Sequence, residues 1–302
     1  MRSGFLDYLR AFSAIAVWLF HLKWFEYGYL GVPIFFAISG FVIAHSAQDR
    51  DRYTFLTARL ARLWPAFLLC MVLTIIALGE VPSPLRLVAN VTMAPMALGQ
   101  APFDPVYWSL MFEILFYAYV GALLVGPRLT ERLHWFCWVW LALCAAHLFY
   151  PLPGKVMLGL EWGAYFCVGC AAWLMQRQVS GAIPLWLAST VVATVAAGMQ
   201  TRFDPIVAGT IVCSFALAFP WLAANRPSTA IGLVLGAMSY PLYLLHHTFG
   251  GAVQQAWGLA ASVVVVLLAS WVVTYIEPYG SAAVKGVSAR LRTIFIKPLA
   301  PI

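Results

Sequence analysis

The stretch Leu6–His21 reads LDYLRAFSAIAVWLFH. An apolar run of this kind, taken with its flanks as a span over about residues 8–27, is long enough for a helix that crosses the hydrocarbon of a membrane. Yet it carries Asp7 and Arg10 near its start and His21 toward its end. Ionisable groups inside a span are costly and by default mark function. From Arg10 to His21, eleven steps of roughly 100° return to within about 20° of the starting direction. The two side chains therefore share one helix face and stand roughly 16 Å apart along the axis, about half the hydrocarbon thickness. One helix thus offers a cation near one membrane surface and a titratable imidazole deeper in.

The rest of the chain has the same character. Of 302 residues 63% are hydrophobic and only 10% charged, with a mean hydropathy of +0.86. Soluble domains are nearer half apolar and a quarter charged, so the composition is that of a polytopic membrane protein. Ten spans are expected, at about residues 8–27, 29–47, 60–79, 105–126, 134–150, 156–175, 183–200, 205–223, 229–249 and 257–276. Segment 84–99 is apolar but short and contains Pro95; it reads as re-entrant or interfacial, or as a further span. The fold class is all-α, a transmembrane helical bundle. Residues 1–280 form the membrane domain, and 281–302 a short basic tail on anionic lipid. Arg2 ahead of an apolar run is how a secretory leader opens. However, Asp7, Arg10 and His21 interrupt the run and no small-residue cleavage site follows, so it is read as a retained span.

Orientation follows from Lys and Arg. With the N-terminus in the cytoplasm and the spans alternating, the outer side receives only Lys23, Arg86, Lys155 and Arg202 of the 18 basic residues. Fourteen fall inside, which supports ten spans with both termini cytoplasmic in an inner (cytoplasmic) membrane. The net charge of +7 is thereby a topology signal and no nucleic-acid partner is expected. The six cysteines all lie in apolar segments. Cys167-x-x-Cys170 reads as small residues packing between helices rather than as a redox or metal pair.

On this topology His21 lies about six residues before the outer end of its span, roughly 9 Å deep. Glu113, about seven residues into the inward-running fourth span, lies roughly 10 Å deep. His246 is near the outer end of the ninth. Three titratable groups on three helices at similar depth would share a cavity in the outer half, because lone polar groups in lipid need partners. Glu113 is then the expected partner of His21. His247, His45, His134 and His147 read as interfacial or structural, and Glu161 as a candidate without a defined role. At the cytoplasmic side Arg50, Arg52, Arg59 and Arg62 link spans two and three. Arg59 and Arg62 are i,i+3 neighbours whose guanidiniums can converge. They are either topogenic charges or a phosphate clamp, since arginine binds phosphate bidentately. No phosphate-cradling glycine loop or metal-ligand spacing occurs.

Together these blocks resemble acyltransferase family 3, the polytopic membrane acyltransferases that include O-antigen O-acetylases. Leu6-Asp7-x-Leu9-Arg10 with His21 is similar to that family's first-helix signature. Gly31–Phe41, which contains Ser39, resembles its second-helix motif, and Arg59-x-x-Arg62-x-x-Pro65 its basic motif. Tyr107-Trp108-Ser109-Leu110-x-x-Glu113-x-x-Phe116-Tyr117 resembles its most recognisable internal block. Ser239-Tyr240-x-x-Tyr243-Leu244-x-His246 and Glu277-Pro278 resemble its last landmarks. Tyr8 and Pro33 depart from the pattern, standing where a glycine and a carboxylate are usual.

The resemblance implies an O-acyltransferase that moves an acyl group, most often acetyl, from cytoplasmic acyl-coenzyme A to a hydroxyl of a carbohydrate or glycolipid acceptor. It implies no tightly bound cofactor and no metal. A separate periplasmic acyl-handling protein is a further partner the resemblance leaves room for. His21, Glu113 and Arg10 are the expected catalytic set, with His21 acting as base or as acyl carrier. Arg59, Arg62, Trp108, Ser109, Tyr240, His246 and Ser39 are the expected substrate-binding residues. The alternative is a proton-coupled transporter or flippase for a sugar or lipid-linked substrate, which also uses intramembrane Arg, His and Glu. No matching helix breaks in two halves argue for it.

Overall fold

The computed structural model describes residues 4–224 and 227–295 and contains, among them, helices and no strands. In chain order the helices are α1 (Gly4–His21), α2 (Gly31–Ala47), α3 (Arg52–Leu78), α4 (Pro84–Val91), α5 (Trp108–Leu123), α6 (Leu129–Phe149), α7 (Lys155–Leu158), α8 (Gly163–Gln176), α9 (Ala182–Gln200), α10 (Pro205–Leu222), α11 (Ala230–Leu245) and α12 (Thr248–Phe295). Every expected span has a helix. Eight stretches are long and apolar enough to cross a membrane by length and composition. Two fall outside that set: α1, whose Asp7, Arg10 and His21 reduce its apolar character, and α11, which has 16 residues.

Helix ends follow local chemistry. The Asp51 carboxylate accepts from the Thr54 amide at 3.0 Å and caps α3, and Gly79 closes that helix at φ 65°. The left-handed region is one that glycine enters without steric cost. Asp204 and Thr229 cap α10 and α11 in the same manner. Segment 84–99 forms the eight-residue α4 and one 3-10 turn at Pro95–Leu98. Eight residues rise only about 12 Å, too little to cross hydrocarbon.

Contacts between loops fix the alternation of the helices. At one end Arg52 Nε donates to Gly121 O at 2.8 Å, Arg177 bonds to Gln48, Gln176 Nε2 donates to Ala223 O at 3.1 Å and Ser228 Oγ donates to Asp7 at 2.9 Å. At the other end Tyr29 bonds to Thr201 at 2.6 Å, Gln200 to Glu161 O at 3.3 Å and the Thr248 amide to Asp104 at 2.8 Å. The long helices therefore run up and down between a basic end, which carries Arg50, Arg52, Arg128, Arg132 and Arg177, and a histidine end, which carries His21, His246 and His247. Helices α1 and α11 run side by side in the same direction. Gly236 makes this close: a Cβ there would stand 2.6 Å from Asp7 Cβ.

The core is held by tight crossings of small residues, which let backbones approach where apolar lipid supplies no drive for helices to associate. A Cβ on Gly169 would stand 1.9 Å from Ala37 O, and one on Gly40 would stand 2.1 Å from Phe166 O. Helices α2 and α8 thus meet backbone to backbone. The buried Cys167 and Cys170 sit in this region, with Cys170 Sγ 3.5 Å from Gly40 O.

The boundary expected at residue 280 does not coincide with a helix end. Helix α12 breaks at Gly258 (φ 83°), and its first turns fold back so that Ser262 Oγ reaches Gly250 O at 2.7 Å. Beyond the break it continues past 280 along α3. Ser281 donates to Ala61 O at 2.5 Å, and Tyr53 donates to Ser288 O. Residues 281–290 are thus helical and largely exposed, touching α3 through Ser281 and through Tyr53 on Ser288 O. Residues 296–302 of the expected tail, together with Arg2 and Arg226, lie outside the described residues.

Candidate functional site

Two groups of polar side chains face each other along the axis of the bundle. At the histidine end, His21 is the last residue of α1, and the chain turns immediately after it through Lys23 at φ 63°. His21 is therefore a helix-terminal side chain, exposed on one flank, and not six residues inside its span as expected. The helix stops because the chain must turn into the 3-10 segment Glu26–Leu30 that leads to α2.

Its partner is His246, not Glu113. His246 Nε2 lies 3.0 Å from His21 Nδ1, and His21 Nδ1 also lies 2.9 Å from Val17 O. His246 is buried, with its Nδ1 2.7 Å from Tyr243 O. A ring nitrogen facing a carbonyl must donate, so His246 carries its proton on Nδ1 and offers Nε2 as an acceptor. His21 Nδ1 then faces two acceptors and must carry a proton as well. These assignments leave His21 Nε2 as a lone pair.

A carboxylate does stand in this cluster, and it is Asp104. It is fully buried. Its Oδ1 accepts from Val106 N at 3.0 Å and lies 3.2 Å from His247 Nδ1, and its Oδ2 accepts from Thr248 N at 2.8 Å. Asp104 thus ties the start of α5 to the α11–α12 turn and orients His247, whose ring meets that of His21 edge-on at 4.7 Å. Sequence reasoning gives neither residue a place in the site. The tandem His246-His247 and an Asp directly before Pro105, a helix-start pattern, are the signals that could have found them.

Deeper toward the basic end a chamber of about 70 Å³ is lined by Arg10, Ser39, Arg59, Arg62, Glu113, Tyr117, Ser239 and Tyr240. Glu113 Oε1 accepts from Tyr117 at 2.7 Å and from Ser39 at 3.4 Å. Arg10 pairs with the buried Asp7 at 3.1 Å. Arg59 Nε is buried without a hydrogen-bond partner. With Arg10 paired to Asp7, Arg59 and Arg62 against the single carboxylate of Glu113 still leave the chamber cationic, and an orphaned guanidinium donor is one that a bound anion would satisfy.

A second cavity of about 50 Å³ continues from it, lined by Val32, Ser109, Leu110, Tyr243 and the shared Phe35, Glu113 and Tyr240. Tyr243 Oη lies 2.9 Å from Ser109 Oγ and 3.1 Å from Val106 O, and its ring stands 5.7 Å from that of His246. The order along the axis is thus arginines, then Glu113 and Tyr240, then Tyr243, then the histidines.

The structure therefore gathers Arg10, Arg59, Arg62, Ser39, Glu113, Ser109 and Tyr240 around the two cavities, and sets His21 and His246 together at the far end. Trp108 is withdrawn from both cavities and stacks among Phe36, Phe112 and Trp162, with the two indoles 4.8 Å apart. Glu161 is ion-paired with Lys155 at 2.8 Å in the loop before α8. His45 lies parallel to Phe41.

Comparison with known proteins identifies relatives of the chain. The chain is 44% identical over 80 residues to the O-acetyltransferase OatA of Staphylococcus aureus, covering 23% of this chain and 13% of that protein. It is 26% identical over 303 residues to the putative peptidoglycan O-acetyltransferase YrhL of Bacillus subtilis, covering 80% of this chain and 48% of YrhL. To the putative membrane-bound transacylase BcsY of Komagataeibacter xylinus it is 29% identical over 284 residues, covering 80% of this chain and 71% of BcsY. The aligned regions thus span about half of YrhL and a small part of OatA. No solved structure matches. A family model described as an acyltransferase domain matches residues 3–276, nearly the whole helical bundle and every residue of both cavities, and the chain belongs to this family, acyltransferase family 3.

Proposed function

We propose that the protein is an integral membrane O-acyltransferase. It takes a short acyl group, acetyl by preference, from acyl-coenzyme A on the basic, cytoplasmic side and places it on a hydroxyl of a carbohydrate-type acceptor that arrives at the histidine end. The observation that carries this reading is the His21–His246 hydrogen bond, whose tautomers leave His21 Nε2 as an unengaged base on an exposed flank.

The chemistry follows from that lone pair. The acceptor O–H gives its proton to His21 Nε2 while its oxygen attacks the thioester carbonyl. The tetrahedral intermediate collapses, the C–S bond breaks, and the proton passes from His21 to the departing thiolate. Histidine ordinarily titrates near neutrality and can both take and return a proton. His246 holds the ring through Nδ1, as the third member of a triad does. The His247–Asp104 pair stands beside the imidazolium that forms.

On the donor side, Arg59 and Arg62 bind phosphate oxygens, and Arg10 lines the passage for the pantetheine arm. The narrowness of the two cavities, about 70 and 50 Å³, favours a short acyl group over a fatty acyl chain. Fourteen of the 18 basic residues fall on the inner side under this orientation, which supports a reading with the protein in the cytoplasmic membrane and coenzyme A at the arginine end. Phe20, Tyr27, Tyr29 and Phe203 form an aromatic shelf beside His21 on which a sugar face can stack.

The test uses purified protein in lipid nanodiscs with acetyl-coenzyme A and a soluble sugar acceptor, with release of free coenzyme A as the readout. Acceptor-dependent release in the wild type and its loss in folded His21→Ala are expected. Full activity in that variant would sink the proposal, and acceptor movement without coenzyme A release would favour a transporter.

A further inference from the structure

Where α5 ends and α6 begins, a groove of about 560 Å³ opens on the outside of the bundle at the basic end. It shares no lining residue with the chamber or the second cavity of the candidate site. Arg128, Glu131, Arg132, Trp135, Phe136 and Val139 line it from the start of α6, and Leu123, the last residue of α5, closes it. Positions 128, 132, 135 and 139 are spaced four, three and four, so they share one helix face. From Arg128 to Val139 this face descends about 16 Å, half the thickness of the hydrocarbon. The groove therefore has the depth of one leaflet.

Its chemistry changes with depth as that of a phospholipid does. The charges stand at the rim. Trp135 and Val139 follow below them, 64% and 61% exposed, and tryptophan is at home where headgroups meet hydrocarbon. Phe136 is half-buried, with its ring 5.6 Å from that of Tyr119 on α5 and 5.2 Å from that of Trp140. Among the described residues Arg128, Glu131 and Arg132 make no ion pair, although Arg128 and Glu131 are only three positions apart. Arg132 Nη1 donates to Leu123 O at 3.2 Å and to Gly126 O at 3.3 Å, which anchors the guanidinium at the end of α5. Positive charge that only orients the chain in the membrane needs neither an acid between the arginines nor a concave surface. The volume is within the range of small-molecule sites, about 300–1,000 Å³.

We propose that this groove is a phospholipid site and that its occupant is phosphatidylethanolamine from the leaflet on the basic side. Arg128 and Arg132 bind the phosphate oxygens. Glu131, between them in sequence, accepts hydrogen bonds from the primary ammonium. One acyl chain lies along Trp135, Phe136 and Val139. Each ionic group of the lipid then meets a partner of opposite sign. Phosphatidylcholine offers the same phosphate, but its trimethylammonium has no N–H for Glu131. Phosphatidylglycerol has no cation at all, and its phosphate would stand beside an uncompensated carboxylate.

The experiment is native mass spectrometry of the full-length protein, equilibrated in detergent with phosphatidylethanolamine, phosphatidylglycerol and phosphatidylcholine of identical chains, each alone and in equimolar mixture. The wild type is expected to retain phosphatidylethanolamine about tenfold over phosphatidylcholine, the effect of one hydrogen bond to a charged group. Glu131→Gln should bring phosphatidylethanolamine down to the level of phosphatidylcholine and leave phosphatidylglycerol held as well as before or better. Arg128→Asn should weaken retention of all three about tenfold; asparagine tolerates the left-handed backbone that Arg128 adopts at φ 74°.

Equal retention of the three lipids by the wild type overturns the proposal. So does retention led by phosphatidylglycerol, which would assign the groove to an anionic lipid drawn by net charge alone. Glu131 is exposed, so Glu131→Gln leaves no buried group unpaired. An ethanolamine preference that survives this substitution places the lipid elsewhere on the bundle and overturns the assignment as well. None of these outcomes depends on the donor or the acceptor of the reaction.

Discussion

The two ends of the bundle hold their polar groups in opposite ways. At the histidine end nearly every donor and acceptor is spoken for: His246 between Tyr243 O and His21, Asp104 among Val106, Thr248 and His247. At the basic end the cations are left over. Arg59 Nε is orphaned, and Arg50, Arg128 and Arg177 have no acid partner among the described residues. Of the four cations on the histidine side, Arg86 and Lys155 are paired locally, with Glu80 at 3.6 Å and Glu161 at 2.8 Å, although Arg86 Nε, like Arg59 Nε, is buried without a hydrogen-bond partner. A satisfied network fixes geometry, as a proton-transfer site requires. Unsatisfied cations are a standing demand for an anion. The contrast separates the step that needs a fixed tautomer from the step that needs charge.

The sharpest way to break this contrast is to remove the group that fixes the tautomer. His246→Ala deletes the acceptor of His21 Nδ1–H and leaves Val17 O as its remaining partner. General acid–base steps contribute typically 10²–10⁴-fold, and a loss of about a hundredfold in kcat with little change in donor KM is expected. His246→Gln, whose amide oxygen can accept, should recover part of it. Steady-state kinetics against donor concentration gives the split. An effect on KM alone would make His246 a substrate contact instead.

How much of this is legible in the sequence depends on what kind of signal each element carries. The helices are readable because each span is an apolar run bounded by charges or by glycine, proline and asparagine, and the short 84–99 segment stands out by its length. Arg10, Arg59, Arg62, Ser39 and Glu113 line one chamber, a grouping that the sequence reading, which sets Glu113 with the histidines, does not contain. The pairing of His21 is not legible. Depth counted in residues along separate helices cannot say which helices touch, and it places His21 within a span that actually ends at it. The α1–α11 contact depends on Gly236 allowing close approach to Asp7, and Gly4 lets α1 meet the loop that leads into α11, tertiary facts with no periodic trace. Asp104 escapes notice because an Asp ahead of a proline reads as an ordinary helix cap, and it is one; its second oxygen, on Thr248, lies 144 residues away.

That double duty gives the next test. Asp104→Asn keeps the shape and one acceptor oxygen but offers an amide N–H₂ where the Thr248 amide or His247 needs an acceptor. A buried donor left unmet costs about 1–3 kcal/mol. Thermal unfolding in detergent should therefore shift down, and activity should fall by less than in His246→Ala because His21 keeps its own partners. An unchanged unfolding midpoint would mean that water or a shifted loop replaces the carboxylate and that the histidine end is less tightly specified than its hydrogen bonds indicate.

The smallest expected effect probes the other end. Arg62→Ala removes one of the three cations lining the inner chamber and one of the two partly buried arginines on α3 that line it. If these arginines meet donor phosphate, donor affinity should fall about tenfold at low ionic strength. The variant's affinity should also decline less steeply with added salt than the wild type's, because one fewer charge is being screened. The measurement is donor KM over a series of salt concentrations, with kcat as the internal control. A parallel salt dependence in the two proteins would show that Arg62 never faces the donor. The surplus of positive charge at that end would then be a matter of membrane orientation for this residue, while Arg59, with its orphaned Nε, would remain the cation through which the chamber engages an anion.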